Sequence, residues 1–264
     1  MNLENLTREV THIIRETAAF IYNERQSFKQ EVVEYKGFND LVSYVDKEAE
    51  KILVEKLRLL FPEADFITEE NTAGKTGKEY SWIIDPIDGT TNFVHGLPCY
   101  CVSVGLINKD EIILGVIYEI NLRECFYAWK EGGAWLNGKR IFVSPENDLK
   151  KSLMATGFPY TNFSRLKEYM EVFDYCMKNT HGIRRLGSAA VDMAYVACGR
   201  FEGFYEYGLH AWDIAAGCCL IKEAGGRISD FSGNNNFLFG QEIISCNDGC
   251  FDAFLAVVKE KFGN

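Results

Sequence analysis

Two periods alternate along the chain. Between residues 6 and 24, Leu6, Val10, Ile13, Thr17, Phe20 and Ile21 fall near helical spacing. Between residues 43 and 60, Val45, Ala49, Ile52, Leu53 and Leu57 share one face, and Pro62 follows. Both stretches predict amphipathic helices. The segment Lys36-Gly37-Phe38-Asn39-Asp40 between them reads as a turn or loop. Ala64-Asp65-Phe66-Ile67-Thr68 reads as a short strand running into Glu69-Glu70. Residues 99–107 and 111–119 are β-rich runs joined by Asn108-Lys109-Asp110, and residues 125–129 continue the meander. Asn137-Gly138 is a strong hairpin signal. The middle of the chain is therefore expected to be a largely antiparallel sheet. Beyond the polar stretch 144–151, strands near 152–156, 182–186, 201–207, 227–229 and 242–246 alternate with helices near 164–178, 187–198, 211–224 and 249–262. That alternation predicts a layered α/β arrangement. It is one domain over 1–264, with halves at about 1–146 and 147–264.

The segment from Trp82 to Phe93 stands out. The apolar run Trp82-Ile83-Ile84 ends in Asp85, and Asp88 follows three residues later, then Gly89, Thr90, Thr91 and Asn92. It reads as a buried strand that delivers two carboxylates to its C-terminal end and turns through Gly89 into a helix, with Thr90, Thr91 and Asn92 as candidate caps. A helix start suits a phosphate, because it presents unpaired N–H groups and the positive end of the dipole. Two carboxylates beside a phosphate repel it unless hard divalent cations lie between them. Mg²⁺ takes oxygen ligands and is commonly held by one or two carboxylates plus substrate phosphate. The segment thus points to metal-assisted phosphoryl chemistry.

Further acids enter with two readings each. Asp46 lies in the first turn of the second helix, where a carboxylate favours the helix dipole. Glu69 and Glu70 sit at a strand end, where ligands gather in open α/β sheets. Only one of the two can face a site, since neighbours in an extended segment point opposite ways. Asp213, in His210-Ala211-Trp212-Asp213-Ile214-Ala215-Ala216-Gly217, also lies in a first turn. The small residues after it allow close helix approach, which would carry Asp213 inward as a metal ligand closing a site between the halves.

Composition narrows the setting. The chain has 264 residues, 47% hydrophobic and 25% charged, and a net charge of −10, which argues against a broad basic surface for nucleic acid. No apolar run is long enough to span a bilayer and no signal-peptide pattern opens the sequence, so a cytoplasmic protein without a membrane partner is expected. Nine cysteines show no zinc-knuckle spacing and read as reduced, mostly buried residues.

Asp85-Pro86-Ile87-Asp88-Gly89-Thr90 and Trp212-Asp213-Ile214-Ala215-Ala216-Gly217, in this order and with Glu69-Glu70 upstream, resemble the two motifs of the inositol monophosphatase family. That family falls within the lithium-sensitive, Mg²⁺-dependent phosphatases. The likeness extends to Val94-His95-Gly96-Leu97-Pro98, Gly187-Ser188-Ala189-Ala190 and Glu223-Ala224-Gly225-Gly226. The resemblance implies a five-layer αβαβα sandwich and Mg²⁺-dependent hydrolysis of a phosphate monoester. It also implies ligand sets. Glu69, Asp85 and the Ile87 carbonyl would hold a first ion, and Asp85, Asp88 and Asp213 a second, with a third, weaker ion near Glu69. It places the Gly89 and Thr90 amides on the phosphate. Asp46 and Thr90, with Glu69, would activate water. Ala189, Glu206, Asp88, Asp213 and His210 would lie near the substrate, and Lys36 would be a loop lysine close to the site.

The expected substrate is an inositol monophosphate or a similar small polyol phosphate, attacked directly by water. Runner-up substrates are histidinol phosphate, fructose-1,6-bisphosphate and 3′-phosphoadenosine nucleotides. A bisphosphate would call for a basic cluster, for which Arg184-Arg185 is the candidate pair in the second half. The alternative class is a regulatory binding protein on the same fold. Inhibition by Li⁺ and a homodimer are further expectations from the family.

Overall fold

The computed structural model describes residues 1–28, 34–37, 40–70, 78–160 and 162–263, with backbone alone for 34–37 and 40–42. The helices are α1 (Leu3–Ser27), α2 (Tyr44–Leu60), α3 (Thr90–His95), α4 (Leu166–Asn179), α5 (Ala189–Ala197), α6 (Ala211–Glu223) and α7 (Asp248–Phe262). A small hairpin pairs β1 (Glu34–Gly37) with β2 (Asp40–Val42), in the stretch that reads from sequence as a loop. Phe38 and Asn39 fall outside the described residues, as does the Lys36 side chain.

A seven-stranded sheet holds β3 (Ala64–Thr68), β4 (Tyr80–Asp88), β5 (Cys101–Asn108), β6 (Glu111–Glu119), β7 (Glu124–Trp129), β8 (Gly133–Leu136) and β9 (Lys139–Ile141), in that spatial order. Only β3 and β4 run parallel; the rest is the antiparallel meander. Asn137 and Gly138 both have positive φ (47° and 83°), the backbone that a two-residue turn matched to strand twist requires. A second, mixed sheet holds β10 (Leu153–Thr156), β11 (Gly182–Arg184), β12 (Gly203–Tyr207), β13 (Arg227–Ser229) and β14 (Glu242–Cys246), ordered β11-β10-β12-β14-β13.

Burial by alternate side chains explains the layering. On β5, Val102, Val104 and Leu106 join a core with α1 and α2, while Cys101 and Ile107 join a second core with α5 and α6. Phe204 and Ile243 of the second sheet close that middle core, and Tyr205 and Ile244 face a third core with α4 and α7. The order is α1/α2, sheet, α5/α6, sheet, α4/α7: the αβαβα sandwich. All nine cysteines are free, and seven of them are buried.

The middle layer is drawn in by glycine. Gly105 and Gly115 are cross-strand partners facing α6. A Cβ on Gly115 would lie 2.4 Å from the Ala216 carbonyl oxygen, and one on Gly105 2.9 Å from Ala215 Cβ. On the other side of α6, a Cβ on Gly217 would lie 2.7 Å from Met193 Cβ of α5. Because the obstruction at Gly115 is backbone, Gly115→Ala must displace α6. The expected cost is about 1–3 kcal/mol, read as a fall in melting temperature of several degrees. Activity should fall with it, since α6 carries Asp213.

Candidate active site

Asp85 and Asp88 bring their carboxylates together because β4 is irregular between them. Asp85 pairs with Ser103 and Asp88 with Cys101, so three residues on β4 oppose two on β5. In a regular strand, residues three apart point to opposite faces. The extra residue, beside the N–H-less Pro86, is the bulge that realigns them. The strand runs through Asp88 and so carries both carboxylates at its C-terminal end, as the sequence predicts. Parallel pairing of β3 with β4 sets Thr68 opposite Ile84, so Glu69 follows at the level of Asp85. Glu69 lines the cleft, while the Glu70 N–H donates to the Glu50 carboxylate at 2.7 Å.

Asp213 arrives from the other half. It is the third residue of α6, and its Oδ2 accepts from the His210 N–H at 2.6 Å. The Ser103 hydroxyl, beside Asp85 in the sheet, donates to the Trp212 carbonyl at 3.5 Å and ties this turn to β5. Asp85, Asp88 and Asp213 each offer an oxygen such that all three lie within 4.8 Å of one another.

The electrostatics of this group call for a cation. Asp85 is 2% exposed, and its Oδ1 has no hydrogen-bond partner among the described residues. Burial, then repulsion from Glu69, Asp88, Asp213 and Asp46, pushes its pKa well above the usual carboxylate range. Burial and Asp88 do the same to Asp213. Asp88 rises only to about 6: burial drives it up, but the Ser188 hydroxyl (2.7 Å), the Ala190 N–H (2.6 Å) and the Ala189 N–H at the start of α5 hold its charged form. An orphaned buried oxygen among mutually repelling carboxylates fits a hard divalent ion with oxygen ligands.

Asp46 lies at the other side of the Asp85 segment. It closes a capping box with Ser43, its Oδ2 accepting from the Ser43 N–H at 2.9 Å and the hydroxyl at 2.5 Å. Its Oδ1 is 3.1 Å from the Thr90 hydroxyl, which is also 2.9 Å from the Ile87 carbonyl. One hydroxyl proton serves one of these acceptors at a time. Asp46 is thus both a cap and a member of the site, and burial raises its pKa.

Gly89, rather than Thr90, Thr91 or Asn92, caps α3, in the left-handed conformation with φ 99°. A Cβ there would lie 3.0 Å from the Cys99 carbonyl and 3.2 Å from that of Gly187, so only glycine fits. Asn92 instead donates to the Cys99 and Leu186 carbonyls at 2.8 and 2.9 Å, fastening α3 to the second half.

The cleft has a volume of about 290 Å³. Besides these groups it is lined by Ala189, Glu206 and His210, with His210 stacked on Trp212 at 4.5 Å. Glu206 sits in a notch left by Gly157, whose Cβ would fall 2.1 Å from both carboxylate oxygens. Burial lifts its pKa to about 8 against the pull of Arg185. Three lining residues carry weight that sequence reading did not give them: Ser188 as a donor to Asp88, Arg185 over the rings of Phe158 and Tyr160, and Asp192. A signal for Asp192 was present, since an acid in an otherwise apolar helix is buried with it. Arg184 turns away, exposed, with its guanidinium on the Ile183 carbonyl at 3.2 Å.

A carboxylate cluster beneath a cleft between two layered α/β halves defines a class, that of metal-dependent phosphatase folds. The chain matches the inositol monophosphatase family model over residues 2–260, and it belongs to that family. It is 40% identical over 232 residues to the Nus factor SuhB of Pseudomonas aeruginosa, covering 86% of each chain. Among solved structures it resembles the extragenic suppressor protein suhB of Bartonella henselae (34% identity, TM-score 0.89, 98% of this chain and 99% of that one). It also resembles an IMPase of Thermotoga maritima (36% identity, TM-score 0.87, 96% of both). The family supports phosphatase activity with Mg²⁺, and no described helix is long and apolar enough to cross a membrane.

Proposed function

We propose that the protein hydrolyses inositol monophosphates or similar small polyol phosphates, with Glu69, Asp85, Asp88, Asp213 and the Ile87 carbonyl holding two to three Mg²⁺ ions. The observation that carries this reading is the convergence of Asp85, Asp88 and Asp213 from sequence-distant segments, with Asp85 Oδ1 orphaned among them. Bound there, Mg²⁺ would neutralise phosphoryl charge and acidify water. The residues of the chain supply the rest. The Gly89 and Thr90 amides, at the start of α3 in the cleft lining, would bind the phosphate. The Thr90 hydroxyl accepts the proton of attacking water as it passes its own to Asp46, whose raised pKa suits it to receive one. Ala189, Glu206 and His210 border the alcohol.

A buried acid at Glu206 disfavours a second phosphate, and Arg185 is the single arginine in the cleft lining, which weighs against fructose-1,6-bisphosphate and 3′-phosphoadenosine nucleotides. Phosphate release from myo-inositol 1-phosphate beside those esters and histidinol phosphate tests the choice. The inositol ester is expected to lead by at least tenfold in kcat/KM. A regulatory role on the same fold is favoured by relatives named Nus factor SuhB. The net charge of −10 argues that it would run through a protein rather than through RNA. Absence of Mg²⁺-dependent turnover across the panel would favour that role alone. A cytoplasmic homodimer inhibited by Li⁺ completes the reading.

A further inference from the structure

Asp192 is an acid to which the chemistry above gives no work. It stands on α5 among Ala190, Val191, Met193 and Ala194, and it is 1% exposed yet lines the cleft. Among the described residues no hydrogen bond reaches its carboxylate, and Oδ1 is shut off from solvent without a partner. Such a group is unfavourable for the fold unless something supplies a donor. Burial, Glu206 and Asp88 all disfavour its charge, opposed by Arg185.

The same wall holds two further unmet groups. Glu206 accepts no hydrogen bond among the described residues, although it is 5% exposed. Arg185 Nε is buried without an acceptor, while Nη2 of the same guanidinium donates to the Tyr160 hydroxyl. Both carboxylates line the cleft with no protein donor among the described residues, and Asp192 Oδ2, unlike Oδ1, is not shut off from it. A ligand carrying several hydroxyls fits, because each hydroxyl donates once and accepts as well. A simple alcohol leaves the set unpaired.

We propose that Asp192 is a specificity-determining residue, accepting a hydrogen bond at Oδ2 from a free hydroxyl of the substrate's alcohol. This rests on the phosphomonoesterase reading and adds a residue to it. A site built to bond a hydroxyl rejects the analogue that lacks one, since its buried groups then stay unpaired.

The test compares myo-inositol 1-phosphate with cyclohexyl phosphate, the same ring without free hydroxyls, in the wild-type protein, Asp192→Asn and Asp192→Ala, all with Mg²⁺. Melting temperatures are measured alongside. The expected result is a drop of about tenfold or more in the preference for the inositol ester, with a melting temperature for Asp192→Asn at or above wild type, because no hydrogen bond to the carboxylate is lost. A preference within about twofold of wild type in both variants overturns the inference while leaving the phosphatase reading intact. So does a fall of more than about 5 °C in Asp192→Asn, which would assign the carboxylate to the fold. A wild-type protein that releases phosphate from neither ester overturns both.

Discussion

Asp85→Asn is expected to lower kcat/KM by about 10³-fold or more while making the metal-free protein no less stable. Both effects follow from one oxygen. Asp85 Oδ1 has no partner among the described residues, and Glu69, Asp88 and Asp213 raise the cost of its charge. Under the proposed function Mg²⁺ requires that charge; without the ion, the charge only destabilises. The sign with pH is definite. A carboxyl whose folded pKa lies above its unfolded value is protonated more fully in the folded state. The metal-free protein therefore loses stability as pH rises from the ordinary carboxylate range, near 4, through the raised values, about 6 for Asp88 and about 8 for Glu206. Asp85→Asn should flatten this slope, and saturating Mg²⁺ should flatten it in the wild type. Melting curves from pH 4 to 8, with EDTA and with Mg²⁺, read both. A metal-free protein that grows more stable over this range would contradict the electrostatic account.

Asp88→Asn carries the second large effect and separates two functions of one side chain. Oδ2 of Asp88 is already committed to Ser188 and Ala190. Asparagine can keep those bonds by turning its carbonyl oxygen toward α5, which leaves its amide NH₂ where the proposed function calls for a metal ligand. The fold should persist and turnover should fall about 10³-fold, with a higher Mg²⁺ concentration needed for half-maximal rate. Ser188→Ala leaves the Asp88 carboxylate in place and should cost about tenfold. Near-normal activity of Asp88→Asn at saturating Mg²⁺ would remove Asp88 from the ligand set.

How much of this could be read from the residues depended on whether the determinant was local. Helix and strand positions followed the apolar period closely: Ala64–Thr68, Arg227–Ser229 and Glu242–Cys246 lie where the pattern puts them. The small residues after Asp213 signalled close helix approach, but its reciprocal surface, Gly105 and Gly115, shows only when β5 and β6 are paired. Pro86 was the sole local sign of the β4 bulge, and the consequence, two acids three apart on one face, needs the register with β5. The hairpin at β1 and β2 was hidden because Gly37 and Asn39 mark a turn without indicating whether its flanks pair. Asp46 shows the opposite limit. Its local reading is a carboxylate suited to a helix N-terminus; the structure adds the capping box with Ser43, and its place beside Thr90 arises from a contact 44 residues away.

The most direct test of the central claim is anomalous diffraction from crystals grown with Mn²⁺ in place of Mg²⁺. The account predicts peaks bounded by Glu69, Asp85, Asp88 and Asp213, one of them within ligand distance of Asp85 Oδ1. Crystals in which Mn²⁺ binds elsewhere, with that oxygen still unpaired, would contradict it.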